Sequence, residues 1–226
     1  MKAYELTLLS PLYYRSRIES GAAGATTTFP WIGDLSMIYA INNTLCFKQI
    51  RFGYASHRPN YSEITDLGFI LSVLEPVSEC TFTKVFDIAT SFISEGYPQG
   101  KAIADSERAP MRNWMRRQGI EPGNKFSFVS CFLGDQVKFP EVFTVRLGNT
   151  RESLAIVREK PVQDIKEITL NLYSLSLVLG PDRFSEILKD IKSGRYHISV
   201  EQAASQYILV KGVPISEAAR FFSPYN

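Results

Sequence analysis

The alternation of apolar and polar residues is clearest near the middle of the chain. Phe143, Val145 and Leu147 alternate with Thr144 and Arg146, the period-two pattern of a half-buried strand with Arg146 pointing away from the core. Gly148-Asn149 breaks the run, Leu154–Val157 resumes it, and Arg158 and Lys160 end it. This predicts a β-hairpin with a loop of about six residues. Further strands are expected at Ala3–Ser10, which Pro11 ends, at Leu67–Leu74, closed by Pro76, at Thr81–Ile93 and at Lys125–Leu133. Residues 51–66 read as a loop, with turn chemistry at Gly53 and Pro59-Asn60.

Helical spacing appears in four places. Pro30 opens a helix through about Leu45, with Leu35, Ile38, Tyr39, Ile41 and Leu45 near one face. Ala109–Gln118 reads as a short helix, with Pro110 in its first turn and Gly119 after its end. Asp182–Lys192 is amphipathic through Phe184, Ile187, Leu188 and Ile191, and Gly194 is its stop. Ser216–Phe222 forms a last short helix, while Ile168–Leu179 fits helix or strand equally. The fold class is therefore α+β. Its opening order of strand, loop and helix is that of a ferredoxin-like or RNA-recognition-motif-like domain.

The length of 226 residues suits one large domain, or a domain with a small appendage. With 45% hydrophobic and 21% charged residues, a sizeable core is expected. The net charge of +2 says less than its distribution. Residues 1–61 hold six Lys/Arg against three Asp/Glu, residues 62–100 one against six, and residues 101–160 eleven against seven. Basic stretches separated by an acidic one suit a subunit that touches both a polyanion and a basic protein neighbour; a solvated acidic face is the plainer alternative. Cys46, Cys80 and Cys131 stand far apart among apolar neighbours, as buried thiols in a reducing compartment would. With neither a signal peptide nor an apolar run of membrane-spanning length, the expectation is a cytoplasmic protein with no membrane partner.

No Walker loop, GxGxxG or GxSxG occurs, and His57 and His197 are the only histidines. Neither has a cysteine nearby, so neither a metal nor another cofactor is expected. His57 lies close to Tyr54 and Tyr61, which leaves RNA cleavage by general acid–base chemistry open beside an ordinary surface histidine. Polyanion-binding chemistry is better represented. Tyr13, Tyr14, Arg15 and Arg17 mix aromatic faces with guanidinium forks, suited to stacked bases and phosphates, or else to a packed strand edge. Arg146 and Arg151 flank Gly148, where main-chain N–H groups are open to a phosphate; solvated hairpin arginines are the alternative. Arg108, Arg112 and Arg116 recur at spacing four, with Arg117, Trp114, Met111 and Met115 among them. On a helix they would clamp nucleic acid with one face and a partner subunit with the other. A helix-turn-helix over Val200–Phe222 fits poorly, since Tyr207 stands where that motif needs glycine.

Together these pieces resemble the CRISPR-associated RAMP superfamily, specifically its Cas-five family in the type I-D variant. The resemblance lies in the opening strand followed by Leu12–Arg17, in Trp31–Ala40, and in Val145–Gly148 followed by Arg151 and Ser153–Ala155. It covers about the first 160 residues in order and spacing. It implies an RNA-recognition-motif-like domain over residues 1–160, with a protruding thumb at about 101–122 and a small, mostly helical C-terminal region over 161–226. It also implies a non-catalytic subunit of a type I-D Cascade surveillance complex that caps the five-prime handle of the CRISPR RNA. The partners implied are a Cas-seven-type backbone subunit, the large subunit, and target double-stranded DNA near its protospacer-adjacent motif. The alternative within the superfamily is a metal-independent endoribonuclease processing repeat RNA.

Overall fold

The computed structural model describes residues 1–13, 17–18, 26–48, 61–90, 113–133, 137–148, 153–193, 196–200 and 207–222. Strand β1 (Lys2–Leu8) runs antiparallel between β8 (Lys125–Phe132) and β10 (Ser153–Lys160) at the middle of a six-stranded sheet. Beyond β10 lies β9 (Val142–Leu147); beyond β8 lie the short strands β4 (Phe69–Leu71) and β5 (Glu75–Pro76). Alternation decides which side chains enter the core. Tyr4, Leu6 and Leu8 share a face with Phe126, Phe128, Ala155 and Val157 by register, and Phe143, Val145 and Leu147 extend it. Helix α1 (Asp34–Leu45) covers this face with Leu35, Ile38 and Ile41. Phe139 sits edge-on to Phe69 and Phe132, at 5.0 and 4.9 Å between ring centroids, so aromatic rings fill the space that α1 leaves open.

Among the described residues, the opposite face is covered at one end only. Ala3, Ile70, Val129 and Cys131 pack against a second layer from the C-terminal part of the chain. That layer is the antiparallel sheet β11 (Glu167–Asn171), β13 (Ile208–Pro214) and β12 (His197–Val200), in that spatial order. Helices α2 (Leu172–Val178), α3 (Pro181–Lys192) and α4 (Ile215–Phe222) accompany it. Ile187 and Ile191 are the buried side of the amphipathic α3, while Phe184 and Leu188 are partly buried. At the other end of this sheet face, Thr144, Arg146 and Arg158 are exposed.

A third, small sheet completes the described strands. Its order is β2 (Arg17–Ile18), β3 (Thr26–Thr27), β7 (Asn113–Arg117) and β6 (Phe86–Thr90). It overturns the helix expected over 109–118, because residues 113–117 are extended and pair antiparallel with 86–90. The cause is tertiary. Glu121 N–H donates to Thr81, Thr83 N–H donates to Gly119, and Gly119 N–H donates to the Thr83 hydroxyl. The chain thus leaves β7 laid against residues 81–83, and extending that ladder back through β7 overrides a modest helix propensity.

Other expectations shift as well. Within 51–66, Tyr61–Leu67 is a 3₁₀ helix instead of loop. Helix α1 begins at Asp34 after Gly33, one turn later than Pro30 suggested. The ambiguous stretch 168–179 resolves into both alternatives, β11 followed directly by α2. Strand β13 excludes the helix-turn-helix, since residues 208–214 are extended where that motif needs helix. Of the cysteines, Cys131 is buried, but Cys80 is only partly so and Cys46 is exposed. Cys46 closes α1 in the left-handed conformation, a solvent-facing cap position.

Candidate nucleic-acid interface

The end of β1, the end of β9 and the exit from β7 meet at one point. After β1, Leu9 N–H donates to the Leu154 carbonyl at 2.8 Å, and the Ser10 hydroxyl accepts from Leu154 N–H at 2.7 Å. The Ser153 hydroxyl donates to the Pro11 carbonyl at 2.6 Å. Leu12 and Ile120 exchange two main-chain hydrogen bonds, 2.9 and 3.0 Å long, and both side chains are buried. Tyr13 is therefore held where the chain leaves the core, between two glycines.

Those glycines are required by close approach. Gly148 has φ +84°, and a Cβ there would meet the Tyr13 carbonyl oxygen at 2.7 Å. A Cβ on Gly119 would lie 2.5 Å from the Tyr13 ring and 2.7 Å from the Leu12 carbonyl. In the sequence Gly148 reads as an opening between arginines; in the structure its role is to let the Tyr13 backbone through. Gly119 reads in the sequence only as a helix stop. Its function at this junction had no local signal, because its partner is more than a hundred residues away.

The small sheet brings together two basic stretches that are distant in sequence. Arg17 pairs with Thr27, and Thr26 pairs with Arg117, so β3 bridges the Tyr13–Arg17 stretch to the strand holding Trp114, Arg116 and Arg117. The Thr28 hydroxyl donates to the Gln118 carbonyl at 3.0 Å, fixing this sheet to the junction. Arg146 is on the exposed face of β9, two residues before the close approach of Gly148. Tyr14, Arg15, Arg108, Arg112 and Arg151 lie outside the described residues, as do Met111 and His57. Of the expected thumb at 101–122, residues 101–112 also lie outside them; Ile120 is fully buried and belongs to the core. His197 is exposed on β12, far in sequence from the junction residues.

Helix α1 and strand β9 enclose a groove of about 770 Å³, lined by Ser36, Tyr39, Asn43 and Thr44 on the helix and by Thr144–Gly148 on the strand. Burial, followed by the charges of Glu63, Tyr61 and Tyr173, pushes the Tyr39 phenol up to about 12, so it remains protonated. At the start of α1, Asp34 is fully buried and accepts from the Asn171 amide at 2.9 Å and from the Ser174 hydroxyl. Burial raises its carboxyl to about 6, against the lowering effect of those hydrogen bonds. Among the described residues, no group of three or more His, Cys, Asp or Glu is arranged to hold a metal ion.

This geometry joins an aromatic–basic segment, a glycine-dependent junction and a hairpin arginine that the sequence keeps apart. The family model described as type I-D CRISPR-associated protein Cas5/Csc1 matches residues 1–208. The chain belongs to that family. As a Cas5/Csc1 family member, it is a subunit of a CRISPR effector complex. The match extends past the 160 residues that carried the resemblance and takes in β11, α2, α3 and β12. Two solved structures with similar chains are cryo-EM structures of Type III-B Cmr-beta, one bound to cognate target RNA and AMPPnP in state 1, the other bound to cognate target RNA. Their chains are 11% and 12% identical, with TM-scores of 0.41 and 0.40. The alignments cover 94% of this chain and 84% and 85% of theirs. No curated protein is a significant match. Among the described residues, no helix is long and apolar enough to cross a membrane.

Proposed function

We propose that this family member is a non-catalytic RNA-binding subunit that caps the five-prime handle of the guide RNA in a type I-D surveillance complex. In this reading it contacts a Cas-seven-type backbone subunit and the large subunit, and contributes to reading target DNA near the protospacer-adjacent motif. The observation that carries the proposal is the junction at Tyr13, where Gly119 and Gly148 both approach within what would be contact distance of a Cβ. Three segments with nucleic-acid chemistry leave this point: the Tyr13–Arg17 stretch, the β7 strand with its arginines, and the hairpin loop after Arg146. The domain itself is read as RNA-recognition-motif-like. The strand order β4–β8–β1–β10 supports this, with α1 after the first strand. Where such a domain carries a second helix, before its last strand, this chain has β9.

The test is binding of fluorescently labelled repeat-derived RNA, with anisotropy measured across a salt series. Arg146→Ala should weaken binding while leaving thermal stability nearly unchanged, because Arg146 is on the exposed side of the strand. Loss of one phosphate contact to single-stranded RNA should lower the salt slope by roughly 0.7. Arg151→Ala is expected to do the same. Unchanged affinity and slope in both variants would reject this RNA path. The same samples, incubated without metal, should yield no discrete RNA products. Discrete cleavage that His57→Ala abolishes would establish the endoribonuclease reading instead.

A further inference from the structure

The two margins of the six-stranded sheet are finished differently. At the β4–β5 margin the strands are short and covered. Ile32 and Leu74 exchange hydrogen bonds of 3.1 and 3.0 Å, and Val73 N–H donates to Thr169 at 2.9 Å. At the other margin, β9 is six residues long, has no proline, and among the described residues no strand pairs with its outer side. A long edge strand without such protection is a template for a further strand.

The ladder shows which atoms are offered. Glu159 N–H donates to the Glu141 carbonyl at 2.8 Å, so in register Phe143, Val145 and Leu147 direct their main-chain groups towards β10. Val142 and Thr144 direct theirs to the outer side. Thr144 opens into the 770 Å³ groove, whose far wall is α1. That wall presents Ser36, Asn43 and Thr44, short side chains able to donate and accept hydrogen bonds, beside the half-buried Tyr39 ring.

We infer that the outer edge of β9 is a docking strand, and that an extended segment of a protein partner in the same effector complex pairs with it, roofed by α1. The composition of the groove decides between peptide and nucleic acid. Among the described lining residues Arg146 is the one Lys or Arg, little positive charge for a run of phosphates. Main-chain donors and acceptors facing small polar side chains instead match an added β-strand. The inference rests on effector-complex membership, and because Arg146 borders both the groove and the RNA path proposed above, its variants are placed at Thr144 and Asn43, outside that path.

Hydrogen exchange followed at the Thr144 amide tests it, in the isolated chain, the chain with repeat RNA, and the complex assembled by co-expressing the effector subunits. Thr144 should exchange rapidly in the first two states and become at least a hundredfold slower in the third. Thr144→Pro removes a donor from the outer side only, a position where an edge strand tolerates proline. Asn43→Trp fills the groove from the helix and leaves the strand unaltered. Each variant should cut recovery of the chain in the assembled complex at least tenfold, with its melting temperature and RNA affinity kept. Protection by RNA alone would make the groove a nucleic-acid site and overturn the inference. So would an isolated chain that is a dimer with Thr144 protected, or an assembled complex in which Thr144 still exchanges freely.

Discussion

Replacing Gly148 by alanine should lower the melting temperature by roughly 4–20 °C and weaken RNA binding at least tenfold. Two costs add at this position. The first is conformational: at φ +84° an L-residue pays about 1–2 kcal/mol that glycine does not. The second is steric: the new methyl would lie 2.7 Å from the Tyr13 carbonyl, with Leu12 and Ser153 close behind. Backbone on one side cannot rotate away, so the strands must part, at roughly 1–3 kcal/mol more. For a chain of this size each kcal/mol corresponds to about 2–4 °C. Gly123→Ala is the matched control. Its φ is +87°, yet nothing stands within 4 Å of the added Cβ, so it should show the conformational cost alone. RNA affinity should fall with Gly148→Ala and hold with Gly123→Ala. Equal effects of the two substitutions would mean that the approach to Tyr13 is not what Gly148 provides.

This comparison also marks where the sequence was legible. Strands whose alternation was clean were found nearly in place: Lys2–Leu8, Lys125–Phe132 and both arms of the hairpin. In each, one face is buried by α1 or the C-terminal layer, so the local pattern and the fold impose the same requirement. The failure at residues 109–118 has the opposite cause. Spacing of four among arginines is compatible with a helix, but nothing in it records the hydrogen bonds that lock residues 119–121 against Thr81 and Thr83. Candidate site residues followed the same division. Tyr13 and Gly148 could each be noticed for their type, and their contact could not, because it depends on the turn after β1 meeting the end of β9. Gly119 was visible only as a stop signal. The groove residues Ser36, Asn43 and Thr44 read as an ordinary exposed helix face, and only the position of β9 beneath them gives them a role.

Asp34→Asn should flatten the pH dependence of stability, since Asp34 ties α1 to the C-terminal layer. Asn171 is the hub of this contact. Its amide nitrogen donates to Asp34, while its oxygen accepts from Tyr173 N–H at 3.1 Å and from Ile208 N–H at 3.3 Å. Ser174 donates to Asp34 and is also 3.0 Å from the Asn171 carbonyl. The folded state holds the Asp34 carboxyl at about 6, above its ordinary 3.8, because burial penalises the charge. Between these values the unfolded chain gives up the proton and the folded chain keeps it, so stability falls as pH rises from about 4 to 6 and is level above. The gap corresponds to roughly 3 kcal/mol. Asparagine has the same shape and carries no charge. Its oxygen can accept from Asn171 and its nitrogen can donate to Ser174, whose hydroxyl then turns to the Asn171 carbonyl. Urea unfolding of both proteins at pH 4 and pH 7.5 measures the effect. The variant should gain on the wild type by roughly 2–3 kcal/mol between the two pH values, most of the full gap. Asp34→Leu, which leaves the Asn171 amide buried without an acceptor, should be destabilised at both, by about 1–3 kcal/mol or more. Parallel pH profiles for wild type and Asp34→Asn would show that the carboxyl titrates normally, and that the clasp between α1 and α2 holds a charge after all.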